Sequence, residues 1–274
     1  MKRLQYVSIG LIFFVLAACN EPAGKEGNAN AETASSVKNI SYSIIKTYPH
    51  DTASFTQGLV VYKGDLYEGT GGSKGNEVSS QFSRLMRVDL KTGKAMKDIK
   101  LDHEYFGEGV TVLHDTVYQL TWKNKVVFVY TLPDLKKVKE FPINTDGWGI
   151  TTDGKELIVS DGSSNLYYYE PGSFKLLRTQ SVMVDNEYLS DINELEYING
   201  YVYANQWQRP YIFKIDPSSG FVVGRIDLTQ AWERVKNIDP LADVPNGIAY
   251  DNDTKKIYIT GKKWPELYEV QFGE

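Results

Sequence analysis

The sequence predicts an all-β chain, a five-bladed β-propeller of four-stranded blades closed by an N-terminal strand. Short apolar runs recur in pairs around tight polar turns: LVVYKGDLYEG, VTVLHDTVYQLTW, GITTDGKELIVS, LEYINGYVYANQW and GIAYDNDTKKIYITG. That is the hairpin signature, five times over. Third strands follow as RLMRVDL, VVFVYTL, NLYYYEP, YIFKIDP and ELYEVQF, and fourth strands as MKDIKL, VKEFPI, KLLRTQSV and VGRIDL. The unit thus repeats about every 40–50 residues, the period of a propeller blade. The 19 Tyr, 11 Phe and 5 Trp also suit pleated surfaces. A β-sandwich with accidental regularity is the competing architecture.

Taken in order, the chain opens with Lys2 and Arg3, an apolar run from Val7 to Val15, and then Leu16-Ala17-Ala18-Cys19. A positive start, a short apolar stretch and small residues make a secretory signal over 1–18, too short to span a membrane as a helix. The Leu-Ala-Ala-Cys ending resembles the lipobox of bacterial lipoproteins, which implies lipidation at Cys19 and an extracytoplasmic anchor in the bacterial cell envelope. An ordinary cleavage site beside a chance cysteine is the alternative. Residues 19–39, rich in Asn, Ala, Gly, Glu and Ser after Cys19, read as a flexible tether. Residues 40–274 are expected to form the propeller, with SYSIIKTY at 41–48 supplying the fourth strand that the fifth unit lacks. One insertion breaks the pattern: LTQAWERVKNIDPL at 228–241 has Leu228, Trp232 and Val235 at helical spacing. It reads as a short helix covering a blade edge, in preference to a substrate lid.

Composition excludes several classes. The net charge is −5 and no Lys/Arg cluster is long enough for a nucleic-acid partner. Cys19 is the only cysteine, so no disulfide can form within the chain. His50, His103 and His114 lack zinc-ligand spacing. GTGGSKG at 69–75 lacks the rest of a phosphate loop, DNDTKK at 251–256 lacks the rest of a calcium loop, and no G-x-S-x-G occurs. No metal or other cofactor is expected, and the protein is expected to act as a monomer.

Aligning the units on Tyr67, Tyr118, Ile158, Tyr203 and Tyr258 puts Gln57, Glu108, Trp148, Asn193 and Asn246 in one register position. Gly71, Trp122, Gly162, Trp207 and Lys262 fall in a second. The first strand of a blade lines the channel and the second runs antiparallel to it, so both sets lie on one face of the disc. An inner ring and a wider ring of polar and aromatic groups converge on one mouth, the composition of a ligand pocket. Each member also has a structural reading: core tryptophans, a solvated Glu108, a surface Lys262, and turn asparagines bonding their own backbone. The glycines framing Glu108 in FGEGVT are read as leaving room for a substrate backbone.

FTQGL (55–59), FGEGVT (106–111), DGWGIT (146–151), NELEYING (193–200), ANQW (204–207), NGIAYD (246–251) and TGKKWPELYEV (260–270) together resemble the plant and bacterial type of glutaminyl-peptide cyclotransferase. The resemblance spans residues 42–272 with its motifs in order, and implies a five-bladed propeller. It implies Glu108 as acid–base residue. It implies a substrate pocket of Phe55, Gln57, Phe106, Trp122, Trp148, Asn193, Trp207 and Lys262. Two departures are Gln206 in ANQW and the long stretch GGSKGNEVSSQFS at 71–83, which would bear on which peptides are accepted.

The implied reaction turns an N-terminal glutamine of a peptide or protein into pyroglutamate and ammonia. One carboxylate can serve as base and then acid, and Lys262 is expected to stabilise the oxyanion. The scheme needs no metal. Two other readings are a non-catalytic extracytoplasmic propeller binding peptide N-termini or sugars, and a metal-dependent lactonase-like propeller using Glu108, Asn193 and Asn246. The bulky tryptophans argue against the latter.

Overall fold

The computed structural model describes residues 37–72 and 82–273. The expected signal peptide, Cys19 and most of the tether lie outside the described residues, as do residues 73–81 of the long stretch after the first hairpin.

Blade I comprises Thr56–Tyr62, Asp65–Thr70, Arg84–Asp89 and Lys94–Lys100; blade II comprises Gly107–Leu113, Thr116–Thr121, Val126–Thr131 and Lys136–Pro142. Blade III follows with Ile150–Thr152, Leu157–Ser160, Asn165–Glu170 and Lys175–Ser181. Blade IV holds Ile192–Ile198, Tyr201–Gln206, Tyr211–Ile215 and Val222–Asp227. Blade V holds Pro245–Asp251, Lys256–Gly261 and Glu266–Phe272, and its outermost strand is Tyr42–Pro49, antiparallel to Glu266–Phe272. The propeller, its five blades and the closing N-terminal strand are as the repeat predicts.

Local chemistry explains the strands. The turns Lys63-Gly64, His114-Asp115 and Asn199-Gly200 have positive φ at both positions, the two-residue geometry that matches strand twist. Innermost strands such as Gly107–Leu113 are buried at every position, so they read as continuous runs. Outermost strands such as Lys94–Lys100 and Lys136–Pro142 are mostly exposed and lysine-rich, which discourages edge-to-edge pairing.

Five apolar clusters hold the disc together, one at each blade boundary. Between blades I and II, for example, Val60, Tyr67 and Leu85 pack on Val110, Val112 and Phe128. A fully buried leucine such as Leu85 contributes roughly 1.5–3 kcal/mol of transfer free energy.

Three details go beyond the repeat. Lys38–Asn39, within the stretch read as tether, adds a parallel strand to the outer edge of blade IV. Ile40 explains this: its N–H bonds the Arg225 carbonyl and its side chain is buried between blades IV and V. A small hairpin, Met183–Val184 with Glu187–Tyr188, joins blades III and IV. The insertion forms a helix, Thr229–Ile238, whose Ala231 and Val235 are buried in the blade IV–V core beside Leu228. With that stripe packed in a core, the helix covers a blade seam.

Candidate active site

The innermost strands of blades I, II, IV and V are bulged where they reach the mouth. Thr56 pairs with Thr70, but Gly58 with Gly69. Gly107 pairs with Thr121, but Val110 with Gln119. Ile192 pairs with Gln206, but Leu195 with Ala204, and Pro245 with Gly261, but Ile248 with Ile259. Each strand carries one extra residue there, and a bulge re-aims the side chains it contains. The bulged residues include Gln57, Glu108, Asn193 and Asn246.

Phe55, Gln57, Phe106, Glu108, Trp122, Trp148, Asn193, Trp207 and Lys262 line one cavity of about 250 Å³. The structure therefore brings together all nine residues singled out for the site. Glu108 is 5% exposed, Gln57 and Lys262 4% and Asn193 3%, while Trp207 at 40% forms the rim. The aromatic walls meet edge to face: Phe55 on Phe106, Phe106 on Trp122, and Trp148 on Trp207 at 5.6 Å. Lys262 Nζ lies 4.5 Å from the centre of the Phe55 ring. Asn246, although in the inner ring, does not line the cavity and sits behind Gln57. A larger cavity of about 380 Å³ opens at the opposite end of the channel, among Val60, Thr111, Thr151, Glu196 and Tyr250. Its buried carboxylate, Glu196, is already engaged by the Tyr250 N–H and the Thr151 hydroxyl, which leaves it little to offer a ligand.

A hydrogen bond crosses every blade boundary at the mouth. The Gly109 N–H donates to the Trp148 carbonyl at 2.8 Å, and the Ser160 hydroxyl to the Asn193 carbonyl at 2.6 Å. The Gly247 N–H donates to Asn205 Oδ1 at 3.0 Å, and Asn246 Nδ2 to the Thr56 carbonyl at 3.0 Å. The remaining boundary, between blades I and II, is bridged by Gln57 Nε2 donating to Glu108 Oε1 at 3.2 Å. The fivefold frame thus holds the Glu108 carboxylate as one of its own links.

Burial raises the Glu108 pKa well above the ordinary carboxylate range; Lys262 pulls it back, and Asp146 pushes it further up. Burial lowers the Lys262 pKa, with Glu108 and Asp243 opposing. The site therefore holds an acid reluctant to ionise beside an amine reluctant to stay charged, a pairing suited to moving a proton. Asn193 lines the cavity, and its buried Oδ1 has no hydrogen-bond partner among the described residues.

The glycines around Glu108 do not make room for a substrate. A Cβ on Gly109 would lie 2.6 Å from the Trp148 carbonyl oxygen, and one on Gly107 3.0 Å from both Ser83 Cβ and the Thr70 carbonyl oxygen. Neighbouring backbone occupies that space, because blades crowd most closely at the axis. The glycines that shape the pocket belong to the wider ring: a Cβ on Gly71 would strike the Phe106 ring, and one on Gly162 the Trp148 ring at 2.6 Å. Sequence spacing had placed both in register with Trp122, Trp207 and Lys262, but without assigning them this purpose. Asp146 and Ser160 were not singled out at all; their signal was adjacency to Trp148 in DGWG and to Gly162.

A family model described as glutamine cyclotransferase matches residues 14–272. The chain is similar to the glutaminyl-peptide cyclotransferase of Arabidopsis thaliana, 39% identical over 234 residues that cover 84% of this chain and 71% of that protein. Its structure is similar to the crystal structure of Myxococcus xanthus glutaminyl cyclase, with a TM-score of 0.78 and 33% identity over 86% of this chain and 98% of the other. A match over this much of the chain, on a propeller with one aromatic, carboxylate-bearing mouth, shows that the chain belongs to the glutamine cyclotransferase family.

Proposed function

We propose that the protein converts the N-terminal glutamine of peptides or proteins to pyroglutamate, with Glu108 as both general base and general acid. The observation that carries this is a buried carboxylate, held by Gln57, in an aromatic pocket of one side chain's size. The α-amine must attack its own γ-carboxamide carbon, but with a pKa of about 7.7–8.0 it is largely protonated at neutral pH. Glu108 takes a proton from the attacking nitrogen as the C–N bond forms. That bond closes the five-membered ring as a tetrahedral intermediate; Glu108 then returns the proton to the carboxamide nitrogen, whose bond to the same carbon breaks, so that ammonia leaves and the lactam carbonyl re-forms. One group serving both steps typically contributes ~10²–10⁴-fold.

The other residues take roles that their placement supports. Lys262 donates to the oxygen that gains charge in the tetrahedral intermediate. Asn193, which lines the cavity, offers its side-chain amide to the polar groups of the substrate. Trp122, Trp148, Trp207, Phe55 and Phe106 hold the glutamine side chain folded and exclude water, so that cyclisation outruns hydrolysis. The test is release of ammonia and pyroglutamyl peptide from a Gln-initiated peptide, run beside Glu108→Gln. Equal turnover by both proteins would remove Glu108 from the chemistry.

We also propose that Cys19 is lipidated and holds the propeller on the outer side of a bacterial membrane, a reading supported by Leu16-Ala17-Ala18-Cys19 and the polar stretch behind it. Detergent-phase partition of the full chain against Cys19→Ala tests it, and equal partition overturns it.

A further inference from the structure

Asn246 is fully buried and lies outside the cavity, yet it belongs to a directed chain of hydrogen bonds that ends at Glu108. Its Nδ2 donates to the Thr56 carbonyl at 3.0 Å and to Gln57 Oε1 at 3.3 Å. A backbone carbonyl can only accept, so Asn246 must turn its NH₂ towards Thr56. The same NH₂ then meets Gln57, which must present its oxygen. With that oxygen committed, Gln57 offers Glu108 only N–H groups. One backbone carbonyl therefore sets the polarity of the whole chain. The arrangement leaves Asn246 Oδ1 buried with no hydrogen-bond partner among the described residues.

We propose that Asn246 is a positioning residue for cyclisation, locking the Gln57 carboxamide so that an N–H and never the carbonyl faces Glu108. The inference rests on the reaction proposed above. With an N–H opposite it, Oε1 accepts a hydrogen bond whether Glu108 is ionised or protonated. The exchangeable proton is then confined to Oε2, which accepts no hydrogen bond among the described residues. A flipped Gln57 would set its carbonyl against Oε1. Only a protonated Oε1 satisfies that contact, and the proton would be held on the oxygen turned to Gln57, away from the reaction.

A double-mutant cycle on the full chain tests this, using a Gln-initiated peptide and reading ammonia. Asn246→Ala is expected to lower kcat roughly 10- to 100-fold, the scale of a lost hydrogen bond to a charged group. KM should change little, and the acid limb of the kcat profile should move to higher pH as the freed amide lets Glu108 hold its proton. In a Gln57→Ala background the same substitution should cost nothing further, because its effect passes through that amide. Losses that multiply in the double variant, or an unmoved acid limb, overturn the inference. If Asn246→Ala does not fold, Asn246→Asp keeps the shape and removes the donor. Its effect must likewise vanish in the Gln57→Ala background; an effect that persists there is charge or scaffold, and overturns the proposal. A wild type with no turnover removes the reaction and this inference together, whereas an active wild type with additive losses removes the inference alone.

Discussion

His50 and Glu68 form a buried clamp across the seam where the ring closes. His50, just past the closing strand, sets Nε2 3.2 Å from the Glu68 carboxylate in blade I and Nδ1 2.7 Å from the Trp264 carbonyl in blade V. Both partners accept, so both ring nitrogens must donate, and the ring is satisfied as imidazolium. Burial opposes that charge, but Glu68 and the carbonyl outweigh it and raise the His50 pKa. The unfolded value is about 6.5. The clamp's contribution is therefore fully present below about pH 6.5 and is lost as pH rises through the higher folded value.

His50→Gln should accordingly lower Tm most at mildly acid pH, on the order of 10 °C, since breaking a buried ion pair costs roughly 3–5 kcal/mol. The gap to wild type should narrow towards pH 9. Comparing the two proteins at each pH cancels the titration of other buried groups. An equal gap at pH 6 and pH 9 would show that the pair is not charged in the folded state.

The clamp also marks where sequence reading runs out. The blades were legible because alternating or continuous apolar runs and tight turns are local, and because the repeat states them five times. Both rings were legible because a repeat places equivalent residues at equivalent heights. Lys38–Asn39 was not, since a two-residue strand has no period and depends on an edge made by residues 222–227. The His50–Glu68 pair and the Asn246–Gln57–Glu108 chain were not, because each joins blades that are neighbours only once the ring has closed. The flanking glycines of FGEGVT were misread because spacing within one unit does not show how closely the next blades pack: what they make room for is the backbone of blades I and III.

Glu108→Gln should leave Tm at neutral pH unchanged or higher, because a buried carboxyl with a raised pKa costs stability as pH climbs through the window above its unfolded value. Activity should fall by ~10²–10⁴. Turnover near the wild-type rate would end the single-carboxylate scheme.

In the wild type, the acid limb of kcat should lie above the ordinary glutamate value of about 4.3, because Glu108 must be ionised to accept a proton. Asp146→Asn removes a charge that pushes this pKa up, so the limb should shift to lower pH. A limb that stays in place, or moves up, would show that Asp146 does not act on the group being titrated.

Lys262→Met keeps a long unbranched side chain and deletes the ammonium that sits over Phe55. If the ammonium acts on the oxyanion, kcat should fall ~10²–10³-fold, with a smaller change in KM. The acid limb should also rise, since Lys262 is the group that pulls the Glu108 pKa down. A raised KM with kcat intact would restrict the lysine to ground-state binding.

Two glycines separate the frame from the pocket. At Gly109 a Cβ would meet the Trp148 carbonyl and the Ile150 amide at 2.6 and 2.8 Å, and neither backbone group can yield without parting blades II and III. Gly109→Ala should therefore destabilise the fold by about 1–3 kcal/mol or more, seen as a lower Tm and midpoint in urea. At Gly162 the obstacle is the far edge of the Trp148 ring, 2.6 Å away, which can swing aside. Its φ of +81° adds strain of roughly 1–2 kcal/mol for any Cβ. Gly162→Ala should thus keep a folded propeller while moving one wall of the cavity, raising KM for a Gln-initiated peptide several-fold. Unchanged kinetics in a folded Gly162→Ala protein would mean that Trp148 does not set the shape of the site.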